Sequence, residues 1–403
     1  MIALITAICL LADSMLYVVL PLYWREAGLT SLYEVGILLS VNRFIRLPLN
    51  PIVSWLYRRM NMTTGMLIAV ILTGVVTFLY AQASGFWFWF ALRCAWGLVW
   101  TFLRLGAFYA ILNLSSEHNR GFLMGQYNGL SRLGSLFGML AGGGLVWVIG
   151  MRPIFLAFAV LTLGAVFLAV RVKAGADLQP HAAAGETAAG IHPQAAAAAG
   201  FLRRVAGDLL AMPVALALLT GLLTAYLFQG VFSSTLSHIL DLRLTGAGIA
   251  GSFLLNAAML GGLFQAARWL WEPWLAPWIG RKSDESGRRI PLLIVTLCAT
   301  AALFALIPVP APLMLWLAVL LFIQAAATVL TTLCDTIAAD VSSARTDKAM
   351  VITVYSMMVD LGSAFGPMIA YSFSVTALYM SSAAVLAALA GLWLLRRERQ
   401  IVH

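Results

Sequence analysis

Residues 115–143 read SSEHNRGFLMGQYNGLSRLGSLFGMLAGG, and residues 343–371 read SARTDKAMVITVYSMMVDLGSAFGPMIAY. Set in register, Arg120 meets Lys348, Tyr127 meets Tyr355, Leu133 meets Leu361, and Gly134-Ser-Leu-Phe-Gly138 meets Gly362-Ser-Ala-Phe-Gly366. The copies stand 228 residues apart in a chain of 403. A repeat at that distance means two similar halves. Membrane proteins built from such repeats hold their substrates near the repeat interface.

Composition sets the solvent. Hydrophobic residues make up 62% of the chain, charged residues 10%, and the mean hydropathy is +0.93. A soluble domain has an apolar share of about 45–50%, so the bilayer is the surrounding medium. Stretches long enough to cross it, each needing about 20 residues, recur near 2–22, 33–57, 63–82, 86–110, 121–147, 153–171, 208–232, 247–273, 290–308, 312–336, 349–371 and 376–395. That is twelve spans, six on each side of a polar break. The first begins beside Met1 with no basic leader and no small-residue cleavage site, so it reads as a retained helix. Between residues 174 and 200 the composition turns to Ala, Gly, His and Pro and the apolar pattern stops, which marks a flexible linker. The expected organisation is a six-helix bundle over 1–172, a cytoplasmic linker over 173–204 and a second six-helix bundle over 205–403.

Basic residues orient the spans. If the first span leaves the cytoplasm, Arg58, Arg59, Arg120, Arg171, Lys173, Arg203, Arg204, Arg281, Lys282, Arg288, Arg289, Arg345, Lys348, Arg396, Arg397 and Arg399 fall on the inner side. Only Arg25, Arg152 and Arg243 fall outside. This asymmetry places both termini in the cytoplasm of a cell-membrane protein. The net charge of +9 is spread over loop ends and forms no aromatic-interleaved patch, so no nucleic-acid partner is implied. Cys9, Cys94, Cys298 and Cys334 all lie in spans without a CxxC pair, and His118, His181, His192, His238 and His403 all fall in loops or at the terminus. No metal site and no cofactor follow from such a pattern.

The hairpins between spans carry a further pattern. Gly280-Arg-Lys-Ser-Asp284-Glu-Ser-Gly287-Arg288-Arg289 resembles the loop signature of the major facilitator superfamily. In it glycine permits a tight turn, the aspartate caps a helix start and the arginines find carboxylates or helix C-termini. The matching loop of the first half keeps only Arg58 and Arg59. Arg93-Cys-Ala-Trp-Gly97 resembles the family's membrane-buried arginine motif of proton-coupled members. Gly125, Gly134, Gly138, Gly142 and Gly143 resemble the antiporter glycine spacing, with Met139 in place of its proline, and the second copy has Gly366-Pro367. Small residues at every fourth position also serve any close helix pair in a membrane. Over both halves the chain looks like the twelve-span drug:proton antiporter branch. The resemblance implies an all-α membrane fold of two pseudo-symmetric six-helix bundles that open alternately to each face, acting as a monomer.

Ionisable groups inside spans identify candidate working residues, because each costs about 2.5–3.5 kcal/mol to insert. The N-terminal half holds Asp13, Arg43, Arg46, Arg93, Arg104 and Arg132. Asp13 is the only acid deep inside the N-terminal bundle, and Arg93 lies at a depth where the two can meet. A carboxylate that alternately gains and loses an arginine partner takes up and releases a proton, so the pair suits proton coupling as well as a plain structural ion pair. Asn42, Arg46 and Asn50 recur at four-residue spacing with Arg43 within a turn, and Arg132 adds another cation on span five. Such an excess favours a carboxylate or phosphate on the cargo, although arginines near span ends, Arg104 among them, also snorkel.

The C-terminal half offers Gln229 on span seven and the stripe Gln324, Thr328, Thr331 and Asp335 on span ten as hydrogen-bonding partners for cargo. Asp360 aligns with Arg132 in the repeat and serves either a bundle-closing salt bridge or a second proton site. Trp96, Trp100, Phe228, Trp269 and Trp271 offer aromatic contact, a role that competes with ordinary packing.

The expected function is export of a small organic molecule, anionic or zwitterionic, by a secondary transporter exchanging it for protons. A dedicated exporter of a self-made metabolite such as a metallophore is the nearest alternative. A non-transporting sensor or a lipid-modifying enzyme is more remote. Against an enzyme stand spans without histidine, the lack of clustered metal ligands and the lack of a nucleophile elbow.

Overall fold

The computed structural model describes residues 1–57, 59–114, 120–175, 212–246, 256–286, 289–343 and 348–401. The linker from residue 176 to 211, Gly287 and Arg288 lie outside the described residues. Those described form twelve helical segments and no strand. They are α1 (Ile2–Val19), α2 (Leu32–Phe44 and, past Ile45, Arg46–Tyr57), α3 (Met62–Tyr80), α4 (Phe86–Leu114), α5 (Arg120–Ile149), α6 (Met151–Gly175), α7 (Met212–Ala225, a π-helical Tyr226–Phe232, then Ser233–Gly246), α8 (Ala257–Ser286), α9 (Arg289–Leu306), α10 (Leu313–Ser343), α11 (Lys348–Ala370) and α12 (Val375–Ile401). Nine of these are long and apolar enough to cross a bilayer. Of the other three, α2 is broken into pieces of 13 and 12 residues, while α8 carries Arg268 and Glu272 and α11 carries Asp360, charged groups that lower their hydropathy.

Local chemistry accounts for the breaks. Ser31 opens α2 by accepting a hydrogen bond from the Glu34 amide at 3.3 Å, and the Glu34 carboxylate accepts one in return from the Thr30 amide at 2.7 Å, a close relative of the capping box. The interruption at Ile45 lies one residue beyond Phe44, whose carbonyl would need an N–H from position 48, and Pro48 has none. Gly150, at φ 79°, separates α5 from α6 and donates its amide to the Val146 carbonyl at 2.8 Å.

Three sequence expectations shift. Hydropathy ends span seven at residue 232, where Ser233, Ser234, Thr235 and Ser237 interrupt the apolar run. The helix runs on to Gly246, with Ser234, Thr235 and Ser237 buried, so His238 is helical and not in a loop. Tertiary packing buries those hydroxyls at a point where hydropathy alone drops. Span eight is helical to Ser286, so Gly280 makes no turn and the Asp284 backbone lies within that helix. A single glycine costs a helix about 1 kcal/mol relative to alanine, too little to end a thirty-residue element. Span two is not continuous, for the reason given above.

The chain packs as two compact units, Met1–Ile191 with Ser234–Trp269, and His192–Ser233 with Leu270–His403. The segment Ser234–Trp269, from the second sequence half, belongs to the first unit. Glycines explain that association. A β-carbon on Gly143 of α5 would lie 3.1 Å from the Gly262 Cα of α8, and one on Gly262 would lie 3.0 Å from the Gly143 Cα, so only two glycines admit this approach.

The repeat is preserved in packing. In the first unit α5 runs along α1: a β-carbon on Gly134 would strike the Ala7 carbonyl, one on Gly138 the Leu11 carbonyl, and one on Gly142 would come within 2.7 Å of Met15 Cγ. In the second unit Gly362 and Gly366 of α11 meet α7 in the same manner, at the Leu222 carbonyl and at Gly230 with the Tyr226 carbonyl. Gly366 and Pro367 therefore sit against the π-helical stretch of α7.

Candidate functional site

The glycine stripe of α5 presses on Ala7, Leu11 and Met15 and so fixes the face of α1 that carries Asp13. The Asp13 carboxylate pairs with Arg93 of α4. Arg93 is fully buried, at 0% side-chain exposure, while Asp13 keeps 13%. The guanidinium Nε donates to the Leu38 carbonyl of α2 at 2.9 Å. One buried cation thus joins three helices, and its Nη2 has no hydrogen-bond partner.

The arginine motif acquires a geometric meaning. Arg93 and Gly97 lie four apart on one face of α4, and both address α2 at residues that are themselves four apart. Arg93 binds the Leu38 carbonyl, and a β-carbon on Gly97 would lie 2.7 Å from the Asn42 carbonyl. Glycine lets α4 approach closely enough for the arginine to reach across. Asn42 is 4% exposed and its Oδ1 is buried without a hydrogen-bond partner, while its main-chain carbonyl accepts from Arg46 Nε at 3.1 Å.

Aromatic residues close the cluster. Tyr80 of α3 stacks on Trp89 with centroids 5.1 Å apart, and its buried hydroxyl faces the Arg93 guanidinium without a hydrogen bond of standard geometry. Trp89 donates Nε1 to the Ala27 carbonyl at 3.1 Å, which holds the stack in place. Tyr17, one turn beyond Asp13, carries the Arg43 guanidinium 5.7 Å from its ring centroid. The result is a buried polar centre of Asp13, Arg93, Asn42, Tyr17 and Tyr80 rimmed by Arg43 and Arg46. Burial in low dielectric makes an unpaired charge here costly, so the ion pair holds while both partners remain charged.

Sequence reasoning points to Asp13, Arg93, Asn42, Arg43 and Arg46, and the structure brings these together. It misses Tyr17, Tyr80 and the Leu38 carbonyl. Tyr17 stands four residues from Asp13 and could be found by helical spacing; Tyr80 reaches the cluster only through tertiary packing. Arg132 lies elsewhere, exposed, with its guanidinium 4.3 Å from the Trp269 ring centroid. Gly125 lies within α5.

The second unit holds the remaining candidates. Tyr355, the repeat partner of Tyr127, donates its hydroxyl to Asp335 Oδ1 at 2.7 Å, and Gly221 of α7 leaves room for the ring. Thr224 and Cys334 are 3.6 Å apart, and Trp393 donates to Thr220 Oγ1 at 3.0 Å. Gln324 and Thr328 are buried, and the Thr331 hydroxyl donates back to the Ala327 carbonyl at 2.8 Å. That threonine bond turns part of the expected stripe inward to the helix backbone. Gln229 lies half-buried on the π-helical stretch, and the Asp360 carbonyl accepts from Ser363 at 2.9 Å. Arg289 of the loop signature pairs with Asp340 at the end of α10. Among the described residues no cluster of side chains could hold a metal ion.

Comparison with known proteins agrees with this architecture. No functionally curated protein matches the chain significantly by sequence. Among solved structures, the nucleoside transporter NupG aligns with a TM-score of 0.75 at 12% identity, covering 98% of this chain and 97% of its own. A mutant form of the same transporter gives 0.73 at 11%, covering 97% and 96%. A bacterial homologue of the human lysosomal transporter Spinster, inward-facing and unoccupied, aligns with a TM-score of 0.68 at 14% identity, covering 98% and 93%. The family profile of the Major Facilitator Superfamily matches residues 2–275 and 274–402, which is nearly the whole chain. The chain is therefore an integral membrane protein that belongs to the major facilitator superfamily of small-molecule transporters.

Proposed function

We propose that this protein exports a small organic anion or zwitterion in exchange for protons, by alternating access of its two repeat-related halves. One observation carries the reading: a fully buried guanidinium is held by a single side-chain carboxylate, Asp13, and one main-chain carbonyl. When Asp13 takes a proton, the pair loses its attraction and Arg93 keeps an uncompensated charge in low dielectric, so protonation favours a rearrangement of α1 against α2 and α4. A proton on Asp13 and a conformational change are thereby linked.

The export direction and the drug:proton antiporter branch rest on the resemblance of the arginine motif and the α5 glycine spacing. Asp360 is a second candidate proton site. For the cargo, Arg43 and Arg46 rim the polar centre, and Gln229, Gln324 and Asp335 supply hydrogen-bonding groups in the second unit. NupG is a nucleoside transporter, but arginines of this kind suit a cargo with negative charge better than a neutral nucleoside. A metallophore carrying several carboxylates fits the same arginine excess, which supports a dedicated metabolite exporter as the second reading. The basic-residue asymmetry supports both termini and the 173–204 linker lying in the cytoplasm, and the family resemblance supports a monomer in the cell membrane.

The test is proton movement in proteoliposomes containing a pH dye, with an imposed pH gradient and a panel of anionic, zwitterionic and cationic solutes. Cargo-dependent proton flux that vanishes in Asp13→Asn is expected. Flux that persists unchanged in that variant removes Asp13 from the mechanism.

A further inference from the structure

Two guanidiniums share one indole near the middle of α5 and α8. Arg132 Cζ lies 4.3 Å from the Trp269 centroid and Arg268 Cζ lies 5.5 Å from it, and all three residues belong to the first compact unit. The Gly143–Gly262 approach described above brings α5 and α8 into contact on this side of the unit. The Trp269 Nε1–H is buried and has no hydrogen-bond partner.

The features gain weight together, because one indole carries two guanidiniums. A buried indole N–H is normally satisfied, and here the unsatisfied donor adjoins both cations. Two guanidinium forks and one N–H at a single spot are a donor set for an oxyanion. Glu272 follows Arg268 by one helical turn and limits the local net charge, which suits a carboxylate better than a phosphate dianion. Arg268 is a charge inside span eight and meets the same cost criterion as the arginines of the first half, but only the structure shows Arg132 sharing its indole.

We propose that Arg132, Arg268 and Trp269 form an anion subsite that binds the carboxylate of the cargo. This deepens the reading of an anionic or zwitterionic cargo and rests on it. Trp269 orients both arginines by its face and donates from its edge.

The test uses the purified full-length protein in detergent, with no proton gradient. Its thermal midpoint is followed against benzoate and citrate at matched ionic strength, with benzamide as the uncharged analogue of benzoate. Stabilisation by a carboxylate and none by benzamide is expected. Apparent affinity should fall about tenfold or more in Arg132→Gln and in Arg268→Gln, each of which removes a charge-assisted fork. Trp269→Phe keeps the face and loses only the N–H, and should cost severalfold. Arg59→Gln, which removes the guanidinium 4.1 Å above Trp55, should leave affinity unchanged. If the glutamine variants fail to fold, Arg132→Lys and Arg268→Lys keep the charge without the fork and should still lose several-fold. No carboxylate-specific stabilisation of the native protein, or equal affinity in the arginine variants, overturns the subsite. Because binding is measured without a gradient, that outcome leaves proton exchange standing, whereas intact binding with no pH-driven flux removes proton coupling and keeps the subsite.

Discussion

Arg93 Nε and the Leu38 carbonyl are joined by a 2.9 Å hydrogen bond across two helices, from a side chain with no exposure. Main-chain carbonyls inside helices are normally committed to their own ladder, so an arginine that adds itself to one ties α4 to α2 independently of Asp13. The guanidinium therefore has one fixed partner and one partner that a proton can release.

Replacing Asp13 separates these two roles. Asp13→Asn should abolish pH-driven transport while leaving cargo exchange without a gradient, measured as isotope counterflow in proteoliposomes. Loss of both activities would instead mark the pair as structural.

Stability should show the same asymmetry. Removing one member of a buried pair strands the other, at a cost of about 3–5 kcal/mol, whereas replacing both by apolar residues is near neutral. Asp13→Ala should therefore lower the thermal midpoint well below that of Asp13→Ala with Arg93→Met. Equal midpoints would mean that water or another group already compensates Arg93.

The glycines of α5 differ sharply in what surrounds them. Gly138→Ala puts a methyl onto the Leu11 carbonyl and should destabilise by about 1–3 kcal/mol. Gly129 of the same helix has open space around it, and Gly129→Ala should be neutral or stabilise by up to about 1 kcal/mol. Thermal melts of the two variants in one detergent check the contrast.

Tyr355→Phe removes the hydroxyl that donates to Asp335 while keeping the ring beside Gly221. A hydrogen bond to a charged group contributes about 1.5–3 kcal/mol when buried, and exposure of Asp335 reduces that. The variant should fold, lose a few degrees of thermal midpoint at most, and bind cargo several-fold more weakly. Unchanged affinity would take Asp335 out of the binding set.

Arg46→Ala should weaken anionic cargo more than neutral cargo in competition assays. Equal loss for both would assign Arg46 to its bond with the Asn42 carbonyl, and so to the shape of α2.

Much of this protein is determined by one-dimensional information. Hydropathy over windows of span length reports helices because the bilayer leaves the backbone no other partner, and the 228-residue repeat reports two related halves because Gly134 with Gly138 and Gly362 with Gly366 form equivalent helix contacts. Asp13 and Arg93 are legible for the same reason: a charge within an apolar run is expensive and needs company. Only the tertiary structure decided which company. The Leu38 carbonyl has no side-chain signature, Tyr80 comes from a helix whose sequence is apolar, and Arg268 gains meaning through Arg132 on another helix. It also decided where helices end, since the continuation of α7 through Ser233–Gly246 depends on neighbours that bury its hydroxyls. Spacing along a helix sets which face a residue occupies, but the approach of another backbone, governed here by glycines, sets what that face meets.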